Sequence, residues 1–160
     1  MNLDKLKTEL IRDEAVRLVA YPDSEGNLTI GAGRNLDACP LTRIELDEVG
    51  HDARSKPISR GNAAYLLGND IARTLSDLDR VLPWWKTLDE VRRRALANMC
   101  FNLGAPRLLK FKETLGWLKQ GHYAAAAGAM LDSKWAVQVG DRAKRLSEMV
   151  RTGRTPDMGP

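Results

Sequence analysis

The feature that most constrains this chain lies near its middle. Between Arg60 and Val81 the apolar residues Ala63, Leu66, Leu67, Ile71, Leu75 and Leu78 recur every three or four positions, the period of a helix with one buried face. Ser59 stands where an N-cap is needed. A helix of about 22 residues is about 33 Å long, enough to span a small domain. In a chain of 160 residues such an element has to connect two parts, and the flanking segments differ in character.

Ahead of it, residues 2–20 read as a helix, with Leu3, Leu6, Leu10, Ile11, Val16 and Val19 at roughly helical spacing. Tyr21-Pro22-Asp23-Ser24-Glu25-Gly26-Asn27 is a turn, because proline cannot continue a helix and Asp, Ser, Gly and Asn favour turns. Leu28-Thr29-Ile30 is β-prone, and Gly31-Ala32-Gly33 permits a bulge or a close backbone approach. A short helix is expected near Thr42–Gly50. Behind the long helix everything after Pro83 reads helical, in segments 89–103, 107–120, 122–132 and 141–152, with Gly104, Gly121, Gly140 and Gly153 as breaks. Residues 89–103 become apolar nearly all round in their second half, as a central buried helix does. The expected fold class is α+β, mostly α: a small hairpin-bearing lobe (13–59), a connecting helix (60–81) and a larger helical lobe (1–12 and 82–160).

Composition narrows the function. Apolar residues at 43% and charged residues at 29% are ordinary for a globular chain and exclude collagen, coiled coil and disorder. No apolar run approaches the ~18 residues of a membrane span, and the charged N-terminal stretch lacks the apolar core of a signal peptide. A net charge of +4 suggests a polyanionic partner. The basic residues are scattered among the acids rather than striped along one helix, which argues against nucleic acid. Cys39 and Cys100 have no metal-site or redox-pair spacing and are expected to be unpaired thiols. With His51 and His122 the only histidines, neither a metal nor a cofactor is expected.

The first turn out of the opening helix gathers Asp13, Glu14, Asp23 and Glu25, with Thr29 close behind. Glu14 near a helix end among apolar neighbours suits a proton donor, while Asp23 in a polar turn suits an ionised carboxylate. Two carboxyls in contrasting environments are what glycoside hydrolysis uses. Glu14, eight intervening residues, Asp23, five intervening residues, then Thr29 resembles the Glu–Asp–Thr spacing of the T-even phage lysozyme family (glycoside hydrolase family 24). The surrounding words Arg12-Asp13-Glu14, Tyr21-Pro22-Asp23-Ser24-Glu25-Gly26 and Thr29-Ile30-Gly31-Ala32-Gly33 resemble it too. So do Asn98-Met99-Cys100-Phe101-Asn102-Leu103-Gly104, Ser133-Lys134-Trp135 and Asp141-Arg142-Ala143-Lys144-Arg145, and the likeness runs over residues 11–155.

The resemblance implies a two-lobed lysozyme, a phage endolysin that hydrolyses the β-1,4 bond between N-acetylmuramic acid and N-acetylglucosamine in bacterial peptidoglycan with inversion. It implies Glu14 as general acid, Asp23 as the carboxylate beside the reacting centre, and Thr29 as holder of the attacking water. It places Phe101, Asn35, Thr114 and Arg142 against substrate, with Arg142 facing Glu14. The family's Gly-x-Gly is usually followed by histidine, paired with an Asp on the long helix. Here Arg34 follows Gly33, and Asp70 is expected to be its partner, with its pKa depressed by the pairing. A monomer is expected, without stable membrane association, held in the host cytoplasm until a separate pore-forming protein opens the way to the wall. The competing readings are a lytic transglycosylase, opposed by the presence of Asp23 and Thr29, and a non-catalytic wall-binding or virion domain, opposed by Glu14 and Asp23. Arg92-Arg93-Arg94 is expected to be solvated helix surface, since residues ~100° apart share no face. The Trp84, Trp85, Trp117 and Trp135 rings are expected mostly to pack in the core or hinge.

Overall fold

In the computed structural model, which describes residues 1–156, the chain opens on helix α1, Leu3–Glu14. Helix is predicted as far as residue 20, and this is not what forms. Ala15 takes the left-handed conformation, with φ of 55°, which ends a helix. Strand β1 then runs over Arg17–Pro22. The three-residue spacing of Val16 and Val19 that suggested a helix is not followed; β1 alternates with a period of two, Leu18 and Ala20 turning inward while Arg17 and Val19 stay exposed.

Strands β2 (Leu28–Gly31) and β3 (Arg34–Asn35) complete a three-stranded antiparallel sheet in the order β1-β2-β3. Tyr21 lies opposite Thr29, and Thr29 opposite Asn35. A register irregularity between Arg17 and Tyr21 re-aims the strand as bulges do. The expected short helix is α2, Arg43–Val49, with a full capping box between Thr42 and Glu45 and a left-handed Gly50 at its end. The predicted long helix is α3, Arg60–Val81, started by the Ser59 hydroxyl, which accepts from the Asn62 amide at 3.0 Å.

The chain divides into two compact units. Lys7–Arg73 form one, with a core of Ile30, Leu36, Val49, Ala53, Ile58, Ala63 and Leu66 flanked by Leu18, Leu28 and Tyr65. Met1–Leu6 and the chain from Thr74 onward form the other. Its centre is α4, Glu90–Leu103, capped by Asp89 and buried continuously from Arg94 to Cys100, as the apolar run predicts. Around it lie α5 (Ala105–Leu108), α6 (Lys112–Gln120), α7 (Tyr123–Leu131), α8 (Lys134–Val139) and α9 (Asp141–Thr152).

Two expectations for this unit are overturned. Residues 107–120 are not one helix: Lys110 and Phe111 bond to carbonyls three residues back, and Phe111 leaves helical geometry so that its ring meets Trp135 edge-on at 6.1 Å. The triple arginine is not solvated surface. Arg94 is 0% exposed, bonded to Glu90 and to the Thr155 hydroxyl. Arg92 lies 3.5 Å over the Tyr123 ring and donates to the Val150 carbonyl at 2.7 Å and the Arg151 carbonyl at 3.3 Å. These are carbonyls of the last turn of α9, which no intrahelical amide reaches. Helical rotation does spread the three arginines, but none is fully exposed: Arg94 is buried and Arg92 and Arg93 are half-buried. Of the tryptophans, Trp85 and Trp135 are buried, bonded through their indole N–H to Asp79 and Asn102, while Trp117 is exposed.

Candidate active site

Glu14 is the last residue of α1, and the left-handed Ala15 behind it turns the chain into β1. Its carboxyl rests on the loop between β2 and β3. A Cβ built on Gly33 would lie 2.6 Å from Glu14 Oε2 and 2.9 Å from its Cδ, and Gly33 has φ of 82°. Only glycine satisfies both demands, so this loop is a bearing surface for the Glu14 carboxyl.

Asp23 opens the turn between β1 and β2. Its Oδ1 accepts from the amides of Glu25 at 2.9 Å and Asn27 at 2.8 Å, an arrangement in which the side chain organises its own turn. Oδ2 makes no hydrogen bond among the described residues. One oxygen is thus structural and the other is open. Thr29, opposite Tyr21 on β2 and 4% exposed, donates its hydroxyl proton to the Asn27 carbonyl at 3.1 Å. Its oxygen therefore has lone pairs to offer to a third group.

The same unit holds a charge network. Arg34 Nε bonds both oxygens of Asp70, at 2.8 and 3.0 Å, Nη2 pairs with Glu45, and Nη1 reaches the Cys39 carbonyl at 3.3 Å. Arg73 also holds Asp70 and touches the Cys39 sulfur. The expected Arg34–Asp70 pair is present, but the expected depression of Asp70 is not. Burial, which disfavours its charge, outweighs the attraction of Arg34 and Arg73 and raises its pKa. Glu45 behaves oppositely: burial opposes its ionisation, yet bonds from Arg34 and the Thr42 amide prevail and hold its pKa down. Nothing in the sequence marked Glu45 as a third member. Its capping-box position was the available clue, since that fixes its side chain at the start of α2.

Glu14, Asp23, Thr29, Arg34, Asn35 and Asp70 all lie in the Lys7–Arg73 unit. Asn35 spends its Oδ1 on the amides of Asp37 and Ala38. Phe101, Thr114 and Arg142 belong to the other unit. Phe101 is half-buried. Thr114 is buried on α6. Arg142, 6% exposed, donates from Nε to Asn98 Oδ1 at 2.9 Å. In the same unit Arg107, Lys110 and Lys134 surround a hollow of about 500 Å³ walled by Phe111 and Trp135. Arg107 and Lys110 lie three residues apart and Lys134 comes from α8, so no single charge run announced it. Both cysteines are free, and burial, then the charge of Asp77, pushes the Cys100 thiol up to about 12, which removes it as a nucleophile.

A family model described as phage lysozyme matches residues 12–152, spanning the α1 terminus, the sheet and all of α9. The chain belongs to the phage lysozyme family. It is an enzyme of the lysozyme class. Among its relatives is a protein called probable T4-type lysozyme 2, from Dictyostelium discoideum, 31% identical over 94% of this chain and 96% of that one. The pre-baseplate central spike protein Gp5 of Enterobacteria phage T4 is also 31% identical over 94% of this chain, but the match occupies 28% of that longer protein. Peptidoglycan hydrolase gp36 of Pseudomonas phage phiKMV is 26% identical over 86% of this chain and 14% of its own length. The phage lysozyme unit thus occurs both nearly alone and within much larger chains.

Proposed function

We propose that this lysozyme hydrolyses the β-1,4 bond between N-acetylmuramic acid and N-acetylglucosamine in bacterial peptidoglycan, with inversion at the anomeric carbon. Glu14, in its protonated form, gives its proton to the glycosidic oxygen as the bond breaks. Asp23 Oδ2 faces the positive charge that develops on the sugar ring and orients the incoming water. Thr29 accepts a hydrogen bond from that water, its own hydroxyl hydrogen being committed to the Asn27 carbonyl. The water adds to the anomeric carbon and gives up a proton to Asp23 Oδ2 while Glu14 gives its own to the leaving oxygen, so one water is consumed for each bond cleaved. Arg107, Lys110 and Lys134 supply positive potential for an anionic wall polymer.

The observation that supports hydrolysis most directly is the division of labour at Asp23 and Thr29. Each has one polar function anchored by the turn and one left for a water. A lytic transglycosylase, which closes an anhydro ring, has no use for that pair. The test is purified protein on isolated peptidoglycan, with reducing ends measured and muropeptides weighed. Products heavier by one water, with the inverted anomer by NMR at early times, support the reading; anhydro products or intact wall defeat it.

The biological setting belongs to the same proposal. The chain acts as an endolysin, held in the host cytoplasm until a separate pore-forming protein permeabilises the membrane. The match to part of a phage spike protein favours a second setting, in which such a unit travels on the virion. Mass spectrometry of purified virions separates the two.

A further inference from the structure

The Lys7–Arg73 unit contains a hollow that none of Glu14, Asp23 and Thr29 lines. Its volume is about 290 Å³, walled by Ile11, Val16, Leu18, Ala32, Ala63 and Leu67, with Ala64 and Arg60 at the rim. That is near the lower end of small-molecule sites, roughly 300–1,000 Å³. The walls are apolar, and Ile11 and Val16 remain 45% and 40% exposed, so the hollow opens on an apolar lip.

The rim carries one charge. Arg60 is exposed and makes no ion pair or hydrogen bond among the described residues, unlike Arg12, Arg34, Arg54 and Arg73 in the same unit. It is the first residue of α3, whose first turn contains no acidic residue. The helix dipole and the guanidinium therefore present positive potential at the same place. A cation at a helix N-terminus is locally unfavourable, and an anion bound beside it relieves that.

We infer that this hollow binds a single-chain anionic amphiphile: an alkyl chain among Ile11, Val16, Leu18 and Leu67, and a carboxylate at Arg60. The occupant is one free molecule with one chain and one charge, because the hollow has room for one chain and the rim holds one cation. Ile11 precedes Glu14 by one helical turn and Ala32 adjoins Gly33, so an occupied hollow stiffens the support of the Glu14 carboxyl.

The test is calorimetric titration of the full chain with hexanoate, octanoate and decanoate below micelle formation, and with octyl glucoside as the uncharged comparison. Affinity is expected to rise about fourfold per methylene until the hollow is full. The carboxylate is expected to bind about tenfold more tightly than the glucoside. Ala64→Trp, an exposed rim position, should abolish binding by filling the hollow. Arg60→Glu should lower carboxylate affinity at least about tenfold while melting no earlier than wild type, since an acid suits that helix end. Flat chain-length dependence, equal affinity for the glucoside, or unchanged affinity in Arg60→Glu overturns the inference. So does binding to anionic phospholipid vesicles with none to the free carboxylates, which would make the lip a membrane contact. The titrations read binding alone, so they stand whether or not the hydrolytic proposal holds.

Discussion

Gly33 and Glu14 touch so closely that no other residue fits at Gly33 without moving the carboxyl: a Cβ would stand 2.6 Å from Oε2. Gly33→Ala is therefore expected to act on activity far more than its one methyl suggests. It strains a backbone held at φ of 82°, at a cost of about 1–3 kcal/mol, and displaces the proton donor, where misplacement by ~1 Å costs about a hundredfold. Turnover and melting temperature measured together check this. A mutant that keeps a tenth or more of wild-type turnover refutes the bearing role.

The split use of the Asp23 oxygens separates structure from chemistry. Asp23→Asn keeps an acceptor for the Glu25 and Asn27 amides and should leave the fold intact, while Asp23→Ala loses the turn bonds as well, at about 1–2 kcal/mol. Both should lose turnover severely, because both lack the negative oxygen. Glu14→Gln should fall by about 10²–10⁴ with an unchanged melt. If Asp23→Asn is nearly fully active, Asp23 serves the turn alone.

The Arg34 network predicts an unusual acid response. Glu45, with its pKa lowered, contributes stability present above the ordinary carboxyl value near ~4.3 and lost as pH falls through its folded value. Asp70, with its pKa raised, does the reverse: its relative contribution is full below ~3.9 and is lost as pH rises through its folded value. The two partly cancel in acid. Asp70→Asn should steepen the loss of stability below about pH 5, since Glu45 then titrates without its counterweight. Arg34→His should bring in a decline between about pH 6 and 8 as imidazole deprotonates, which arginine does not show. Thermal melts across pH read both; parallel curves for all three proteins exclude the scheme.

The cysteines should react unequally. With its thiol pushed up to about 12 and buried, Cys100 is expected to resist alkylation in the native protein at pH 8. Cys39, half-buried, is the expected site of single labelling. Mass spectrometry after a timed iodoacetamide pulse, native against urea-unfolded, gives one adduct and then two. Two adducts at equal rates in the native state contradict this.

What was legible in the sequence depended on how local the physics is. The α3 helix could be read because six apolar residues repeat one period and Ser59 caps it within four residues. The end of α1 could not, because a left-handed Ala15 has no residue signature and Val16 and Val19, three apart, continue the helical spacing of the residues before them. The candidate acid, carboxylate and hydroxyl were visible as spacing because the hairpin joins them through a few residues. Glu45 was hidden because the irregular stretch between it and Arg34 has no period to read. Arg92 on the last turn of α9 and Lys134 beside Arg107 and Lys110 at the 500 Å³ hollow were hidden, since each joins segments remote in the chain. The direction of the Asp70 shift was missed for the same reason. Its partner was readable from sequence, but the burial that outweighs the partner was not.

The division of α1 carries a consequence for how the molecule is made. Met1–Leu6 belong to the unit that otherwise begins at Thr74, and Leu6 is 1% exposed while the Asn2 amide bonds Glu90 at 2.8 Å. At about 5–20 residues per second, the ribosome releases this hexapeptide several seconds before its partners exist. Through that interval Leu6 has no core to enter, and the later unit stays incomplete until the opening of the chain is recovered. A fragment starting at Thr74 would lack a piece of its own interior, so the order of synthesis and the order of assembly run in opposite directions.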